Sequence, residues 1–536
     1  MNTALLLLTL AVGQQVPVRT GAPINFDGRI APGEWADGFT LKGADEPGYQ
    51  LHLKRVGPML AIGVSSQKGY NGEVIRIVAG SGAARQIVGM VLGLGQPEAP
   101  AAVWRRGSPQ IMRDAPESIK RECPRGVRAR VLLGKTDSWS AEYLVSLAAL
   151  GIGRGDAREF KGIIAISDNQ FNARLSMPKN VDDFLDTNQY ARWISADSWG
   201  AAEKWEPTSP EISREYDDNE LLFRLYSEHD KFSRQRTLDQ LVISNAVRPR
   251  SAAKIESLKR EIEAGMSRNP TLPAWLYYRG RLLHQANYFQ DARKAIESVP
   301  EPLRGVGGFA QLAFDHYLDT QEWEFVLDMC KRFPPTDVSD TALKRARIGQ
   351  KFTRIESEAH KRDVAKPERN PVVVFDTARG EIHVELFEDD APAAVLNFMD
   401  LVLRTKYYDR MRFHNVVGAS FAQVGDPRTR PNARTKADGP GWRVRQDPPK
   451  RPSLRGSLGL LPIGDGTQHG SQIILTAVPF FEARGLVVFG RIIKGQEILN
   501  LIEQDDQLKT IRVAKDENGK EIRRNHAYQA DVVRLK

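Results

Sequence analysis

The chain has 536 residues, 41% of them hydrophobic and 27% charged, with a formal net charge of +9. At roughly 150 residues per domain, that length predicts three or four domains, and the composition excludes a fibrous, collagen-like or wholly disordered chain. Two cysteines, Cys123 and Cys330, exclude a disulfide-dense scaffold and a cysteine-only zinc cluster. They fall in different predicted domains and are expected to be free thiols. In chain order, Ala4 to Val12 is a short apolar run ending in the small-x-small pattern Ala11-Val12-Gly13. It reads as a signal peptide over 1–13, cut before Gln14. The alternative is a buried N-terminal strand, since Met1-Asn2-Thr3 carries no Lys or Arg. The run falls far short of the ~20 residues that span a bilayer, and no other stretch predicts a transmembrane segment. The expected location is therefore outside the cytoplasm: periplasm, cell envelope or extracellular space.

Residues 14–205 read as β-rich. Gln50 to Val56 alternates, Gly57-Pro58 marks a turn, Met59 to Val64 is apolar, and Val74 to Val78 alternates again. Six of the nine tryptophans lie in the first 205 residues. Asp27-Gly28 followed by Glu34-Trp35, then Trp139 to Leu147 and Leu150-Gly151, resembles the family 9 carbohydrate-binding-module-like sandwich, related to DOMON domains. The resemblance implies a β-sandwich and a glycan partner, with Trp35 and Trp104 as rings for stacking on a sugar face. The alternative for Trp35, as for Trp139, is core packing.

Residues 208–365 change to helical periodicity. Asn219 to Tyr226 opens the region and Ala252 to Met266 is amphipathic. Trp275, Gly280, Ala286, Tyr288 and Ala292, closed by Pro300, resemble a tetratricopeptide repeat. A poorer copy runs through Ala313, Tyr317, Trp323 and Val326 to Pro334-Pro335. Such a solenoid implies a surface for a protein partner. The polar stretch 342–371 reads as a helix end and a linker.

Residues 370–536 hold the chemistry. Val372 to Asp376 and Glu381 to Phe387 predict a hairpin, and Pro392 opens a helix ending near Arg404. Leu386 to Pro392, Asn397-Phe398, Tyr407 to Asp409, Phe413-His414, Gln423 to Pro427, Gly439 to Gly441, Arg455 to Leu458, Gly470 to Gln472 and Val488 to Gly490 follow in cyclophilin order. The region is identified as a member of the cyclophilin-type peptidyl-prolyl cis-trans isomerases. That implies a closed eight-stranded β-barrel with two helices, the second near Gln496 to Glu503, and proline-containing peptides or proteins as partners. The reaction is rotation about the X–Pro bond, whose barrier is about 18–20 kcal/mol. It needs an apolar pocket for the ring, hydrogen bonds to the carbonyl and a cation near the prolyl nitrogen.

The family's site carries over unevenly. Its catalytic arginine, which follows Phe-His, falls on Asn415, which donates hydrogen bonds without charge. Its carbonyl-holding glutamine is Gln423. The pocket positions fall on Ser420 and Phe421, on Ile474, near Phe481, on Leu486 and near Leu461, with Gln472 in the same constellation. Strand alternation predicts that Arg412 faces away from Asn415. The loop 426–455 carries nine basic and three acidic residues, a local net of +6. It reads as solvated, as a patch for an anionic partner, or as the source of an arginine that reaches the site. No cofactor, metal or nucleic-acid motif is present: the histidines are scattered, without His-Glu-x-x-His. Two functions remain open. One is an exported cyclophilin-type isomerase whose activity is weak because of Asn415. The other is a non-catalytic envelope scaffold that binds prolyl peptides, a protein partner and glycan.

Overall fold

A computed structural model describes residues 15–31, 33–43, 48–67, 74–80, 87–93, 101–106, 121–122, 126–133, 138–147, 159–167, 173–177, 191–194, 214, 217–222, 225, 252–270, 272–305, 307–332, 337–463, 466–481, 485–524 and 533–535. The expected signal peptide over 1–13 and Cys123 lie outside them. The chain divides into two compact units. The first takes the described residues before 231 with 261–279 and 298–310; the second takes the remainder.

The first unit is built on two sheets. One runs β2 (Phe39–Lys42), β3 (Tyr49–Val56), β4 (Met59–Ser66), β10 (Trp139–Ser146) and β9 (Val127–Leu133), all antiparallel. Gly57, with φ +56°, makes the tight turn between β3 and β4. The other sheet runs β1 (Gln15–Pro17), β13 (Ala191–Ile194), β11 (Glu159–Ser167), β5 (Val74–Gly80), β6 (Ile87–Gly93), β7 (Ala101–Arg106) and β8 (Arg121–Glu122), with β12 (Ala173–Met177) also on β11. Alternate residues of β9 and β10, including Val127, Ala129, Val131, Ala141, Tyr143 and Val145, are buried, as period-two pleating requires.

The helices are α1 (Ala252–Arg268), α2 (Pro273–Gln285), α3 (Phe289–Glu297), the single turn α4 (Glu301–Arg304), α5 (Gly307–Asp319), α6 (Trp323–Arg332) and α7 (Asp337–Val364). Helices α5 and α6 each begin 34 residues after α2 and α3. One expectation is corrected here. The stretch expected as a helix end and linker is mostly helix: α7 runs 28 residues and leaves only a short connection before the barrel strands. Its charges are not merely solvated, because Glu356 and Asp363 pair with buried Arg451 of the second unit's sheet domain.

That domain begins with the hairpin β14 (Val372–Thr377) and β15 (Gly380–Leu386). Then follow α8 (Pro392–Leu403), β16 (Asn415–Val417), β17 (Phe421–Val424), β18 (Arg443–Arg445), β19 (Ser457–Pro462), β20 (Thr467–Thr476), β21 (Val487–Lys494), α9 (Gln496–Leu501), β22 (Leu508–Val513) and β23 (Arg534–Leu535). Pro392, which needs no intrahelical N–H bond, sits in the first turn of α8. The carboxylate of Asp447 accepts the Ala393 and Ala394 amides at that helix start, at 3.1 and 2.9 Å.

The strands curl into one sheet ordered β16-β17-β20-β19-β21-β15-β14-β22, with β18 and β23 added beside β20. The expected closed ladder is not formed, since β16 and β22 do not pair. The segment before β16 closes the gap instead: the Phe413 and Leu508 amides donate to Asp506 and Met411 carbonyls. The inner face packs one large core through Phe375, Val384, Phe398, Val416, Ala422, Val424, Ile473, Leu475 and Phe489. The expected second helix is shorter than its pattern suggests, because Ile502 is already extended.

Candidate functional site

With Val416, Ala422, Val424, Ile473 and Leu475 committed to the core, pleating sends their neighbours to the sheet's other face. There the register pairs Asn415 with Gln423, and Gln423 with Ile474. Two kinds of side chain result. The first is a polar row. Asn415 Nδ2 donates to Gln423 Oε1 at 3.0 Å, Gln423 Nε2 donates to Gln472 Oε1, and Gln472 Nε2 donates to the Asp438 carbonyl at 3.0 Å. The second is a separate apolar cluster of Val417, Phe421, Leu461, Ile474 and Leu486, with Phe480 packed against it. Gly459 leaves room for it: a Cβ there would stand 2.7 Å from Leu486 Cδ1.

Of the residues expected at the site, the fold brings together Asn415, Gln423 and Gln472 in the row, and Phe421, Leu461, Ile474 and Leu486 in the cluster. Ser420 is buried beside them, its carbonyl accepting the Ala477 amide. Phe481 is elsewhere. Its ring lies 5.7 Å from Trp323 of α6 and 6.2 Å from Phe352 of α7. The ring against Phe421, at 6.2 Å, is its neighbour Phe480. Sequence reasoning also passed over Val417, although alternation from Asn415 points to it.

The row carries no charge. At His414, which precedes Asn415 in the chain, burial pushes the pKa down against a smaller upward pull from Asp426. Arg412 lies outside β16, is exposed, and donates to the Asp505 carbonyl at 2.9 Å. The basic loop does not supply the missing cation through its anchored members. Arg428 pairs with Asp426, and Arg430 donates to the Tyr407 carbonyl with its guanidinium 5.0 Å from that ring. Arg451 is enclosed by Asp390, Glu356 and Asp363. The loop is therefore not simply solvated: Arg451 and much of Arg455 belong to the interior.

In the first unit, Trp35 is 4% exposed. Its ring lies 5.7 Å from His52, with the buried Lys54 ammonium 5.6 Å from its centroid. A ring so covered offers no face to a sugar, which corrects its stacking role. Trp104 stands on β7, and its side chain lies outside the described residues. Among the described residues no group of acidic, histidine or cysteine side chains is arranged to hold a metal ion, and no helix is long and apolar enough to cross a membrane.

Compared with known proteins, residues 372–524 match the family model described as cyclophilin type peptidyl-prolyl cis-trans isomerase/CLD. A peptidyl-prolyl cis-trans isomerase-like 1 of Rhizopus delemar is 32% identical over 139 residues, 26% of this chain and 81% of that protein. A peptidyl-prolyl cis-trans isomerase of Helicobacter pylori is 34% identical over 140 residues, 25% of this chain and 82% of the relative. A solved cyclophilin type isomerase of Cryptosporidium parvum, crystallised in the presence of the dipeptide ala-pro, is 24% identical. The match covers 27% of this chain and 99% of that one, with a TM-score of 0.25.

Proposed function

Because the chain belongs to the cyclophilin-type peptidyl-prolyl cis-trans isomerase family, we propose that it turns X–Pro bonds in exported proteins, and turns them slowly. The observation that carries this reading is one sheet face holding the neutral row Asn415–Gln423–Gln472 beside the apolar cluster of Phe421, Leu461, Ile474 and Leu486. The cluster suits a proline ring. Each amide of the row has a second N–H with which to hold a substrate carbonyl. Twisting the X–Pro bond ends amide conjugation and localises the lone pair on nitrogen. A fixed cation there would stabilise the twisted state, and Asn415 supplies only a dipole.

The remaining assignments belong to the same proposal. Residues 1–13 direct export. The two sheets of the first unit form a sandwich, with Trp104 as its remaining candidate for glycan. Helices α2–α3 and α5–α6 are tetratricopeptide-like, a reading supported by their 34-residue offset. The second function, a scaffold that binds prolyl peptides without turning them, is favoured by the uncharged row.

A prolyl-peptide isomerisation assay on the full chain separates the two. The intact chain is the right material, because removing α7 would strip Arg451 of Glu356 and Asp363. The expected result is a small acceleration that Asn415→Arg raises by about tenfold, the direction of a restored electrostatic contact. A rate equal to the uncatalysed one in both proteins overturns the isomerase reading, and peptide binding without turnover selects the scaffold.

A further inference from the structure

The apolar cluster that would receive a proline ring is almost wholly buried, with Phe421, Leu461, Ile474 and Leu486 each 5% exposed or less. The chain's own helices press on both of its ends. At one end lies the tight segment before β17. The Ala419 amide donates to Asn287 Oδ1 at 2.7 Å, and a Cβ on Gly418 would stand 1.9 Å from the Gln285 carbonyl oxygen. At the other end, Phe481 directly follows Phe480 of the cluster and is held between Trp323 and Phe352. Between them, the Arg455 amide donates to Gln321 Oε1 at 3.3 Å, and the Arg455 guanidinium lies 4.8 Å from the Phe289 ring.

Asn287 and Gln321 are equivalent residues. They stand 34 positions apart, each two residues past a helix end (Gln285, Asp319) and two before the next helix start (Phe289, Trp323). Both adopt left-handed backbone, with φ 63° and 68°. In each case the turn aims a side-chain amide oxygen at a backbone N–H of the sheet domain. Two successive turns of the helical array thus make the same kind of bond to the same sheet domain, just before β17 and just before β19.

We infer that the α2–α3 and α5–α6 turns are a built-in cap on the prolyl-binding face, and that the face accepts a peptide only when the cap lifts. The inference rests on the proposed binding role of that face. The closed form holds Gly418 and Ala419, just before Ser420 and Phe421, against Gln285 and Asn287, and holds Phe481, next to Phe480, against α6 and α7. A ligand that gains these contacts must displace the turns, so its apparent affinity is reduced by the fraction of chains that are open.

Two variants lift the cap without touching the row or the cluster. Gly418→Ala places a methyl group against Gln285, and wedges the turn away. Asn287→Gly with Gln321→Gly deletes both amide acceptors, and glycine keeps the positive φ that each turn needs. Both are made in the full chain and probed with a succinyl-Ala-Ala-Pro-Phe peptide. Amide exchange over 415–424 and 450–460 should become faster, and peptide affinity and isomerisation rate should each rise about tenfold, the value of two ordinary hydrogen bonds. Faster exchange with unchanged affinity and rate in both variants overturns the cap. Unchanged exchange in both also overturns it, because these contacts would then not hold the turns down. A gain in affinity with the rate still uncatalysed keeps the cap and removes the isomerase reading. A measurable wild-type rate that neither variant changes does the reverse.

Discussion

Arg451 in the second unit and Glu142 in the first are both buried ions, and the two regions treat them in opposite ways. Arg451 is met by three carboxylates, from Asp390, Glu356 and Asp363, while its guanidinium lies 4.0 Å from the Phe387 ring. Glu142, on β10, is fully buried, and among the described residues no cation forms an ion pair with it. Its Oε2 accepts the Asp27 and Gly28 amides at 3.0 and 2.8 Å, and its Oε1 has no partner. Burial, with a further push from Glu34 and Asp27 that those two amides oppose, lifts its pKa to about 7. In the Arg451 cluster, burial also pushes Asp363 up, but bonds to Arg451 and Lys366 outweigh it and hold the group low. Asp389, bonded chiefly to Arg524, is likewise held low, while burial wins at Glu356 and raises it. An unpaired buried carboxylate keeps its proton to higher pH, whereas a paired one gives it up where the bonds to its partners outweigh burial, as at Asp363 and not at Glu356.

Breaking the paired site has the largest expected effect. Arg451→Met keeps a stem over Phe387 and leaves Glu356, Asp363 and Asp390 without their shared cation. Removal of one partner from a buried ion cluster costs about 3–5 kcal/mol. Denaturant unfolding, with exchange of β19 and β21 amides assigning the transition to the second unit, measures it. A loss below about 1 kcal/mol would mean that Arg491 and Lys366, which already bond Glu356 and Asp363, carry the site. Asp363 and Asp389 have depressed folded pKa values. Their contribution is therefore present above the unfolded carboxylate range and fades as pH falls through the folded values.

The unpaired site predicts the opposite slope. The folded pKa of Glu142 lies above its unfolded value, so the folded state binds the extra proton between the ordinary value of 4.5 and about 7. Stability from this group is complete below that window and is lost as pH rises through it. Glu142→Gln keeps an acceptor for Asp27 and Gly28 and removes the charge. It should stabilise the first unit at pH 8 by about 2 kcal/mol and change little at pH 4. Exchange of β10 amides at the two pH values reads this out, and an equal effect at both would show that Glu142 stays ionised throughout.

Much of the second unit was legible in the sequence, for local reasons. The hairpin over 372–386 alternates, and Pro392 marks a helix start by its own chemistry. The polar row was legible by family order, and the apolar cluster nearly so. What failed depends on distant partners. Phe480 and Phe481 are adjacent and alike, and only α6 and α7 determine which one turns to the cluster and which to Trp323 and Phe352. Helix α7 looks like a linker because its charges are answered from elsewhere, by Arg451 and Arg491. For the same reason a charge count over 426–455 could not separate buried Arg451 from exposed Arg434. Trp35 was ambiguous from the start, since an aromatic beside Asp-Gly serves a core or a sugar equally well.

Asp447 sharpens the comparison with the smallest effect, because it shares features of both sites. Like Glu142, it is buried, accepts two backbone amides and is pushed up by burial. Unlike Glu142, it divides those amides between its two oxygens and faces the N-terminus of α8, whose dipole favours negative charge. Asp447→Asn retains one oxygen for two amides, so one N–H of the first helical turn loses its acceptor, at a cost of about 1 kcal/mol. The sign with pH follows from the raised pKa. The wild type loses stability from this group as pH rises, and the variant has no such dependence, so the deficit should be largest in acid and shrink toward neutral pH. A deficit that grows with pH would mean that the helix dipole outweighs burial at Asp447, and that the two-amide carboxylates of the two units are not equivalent.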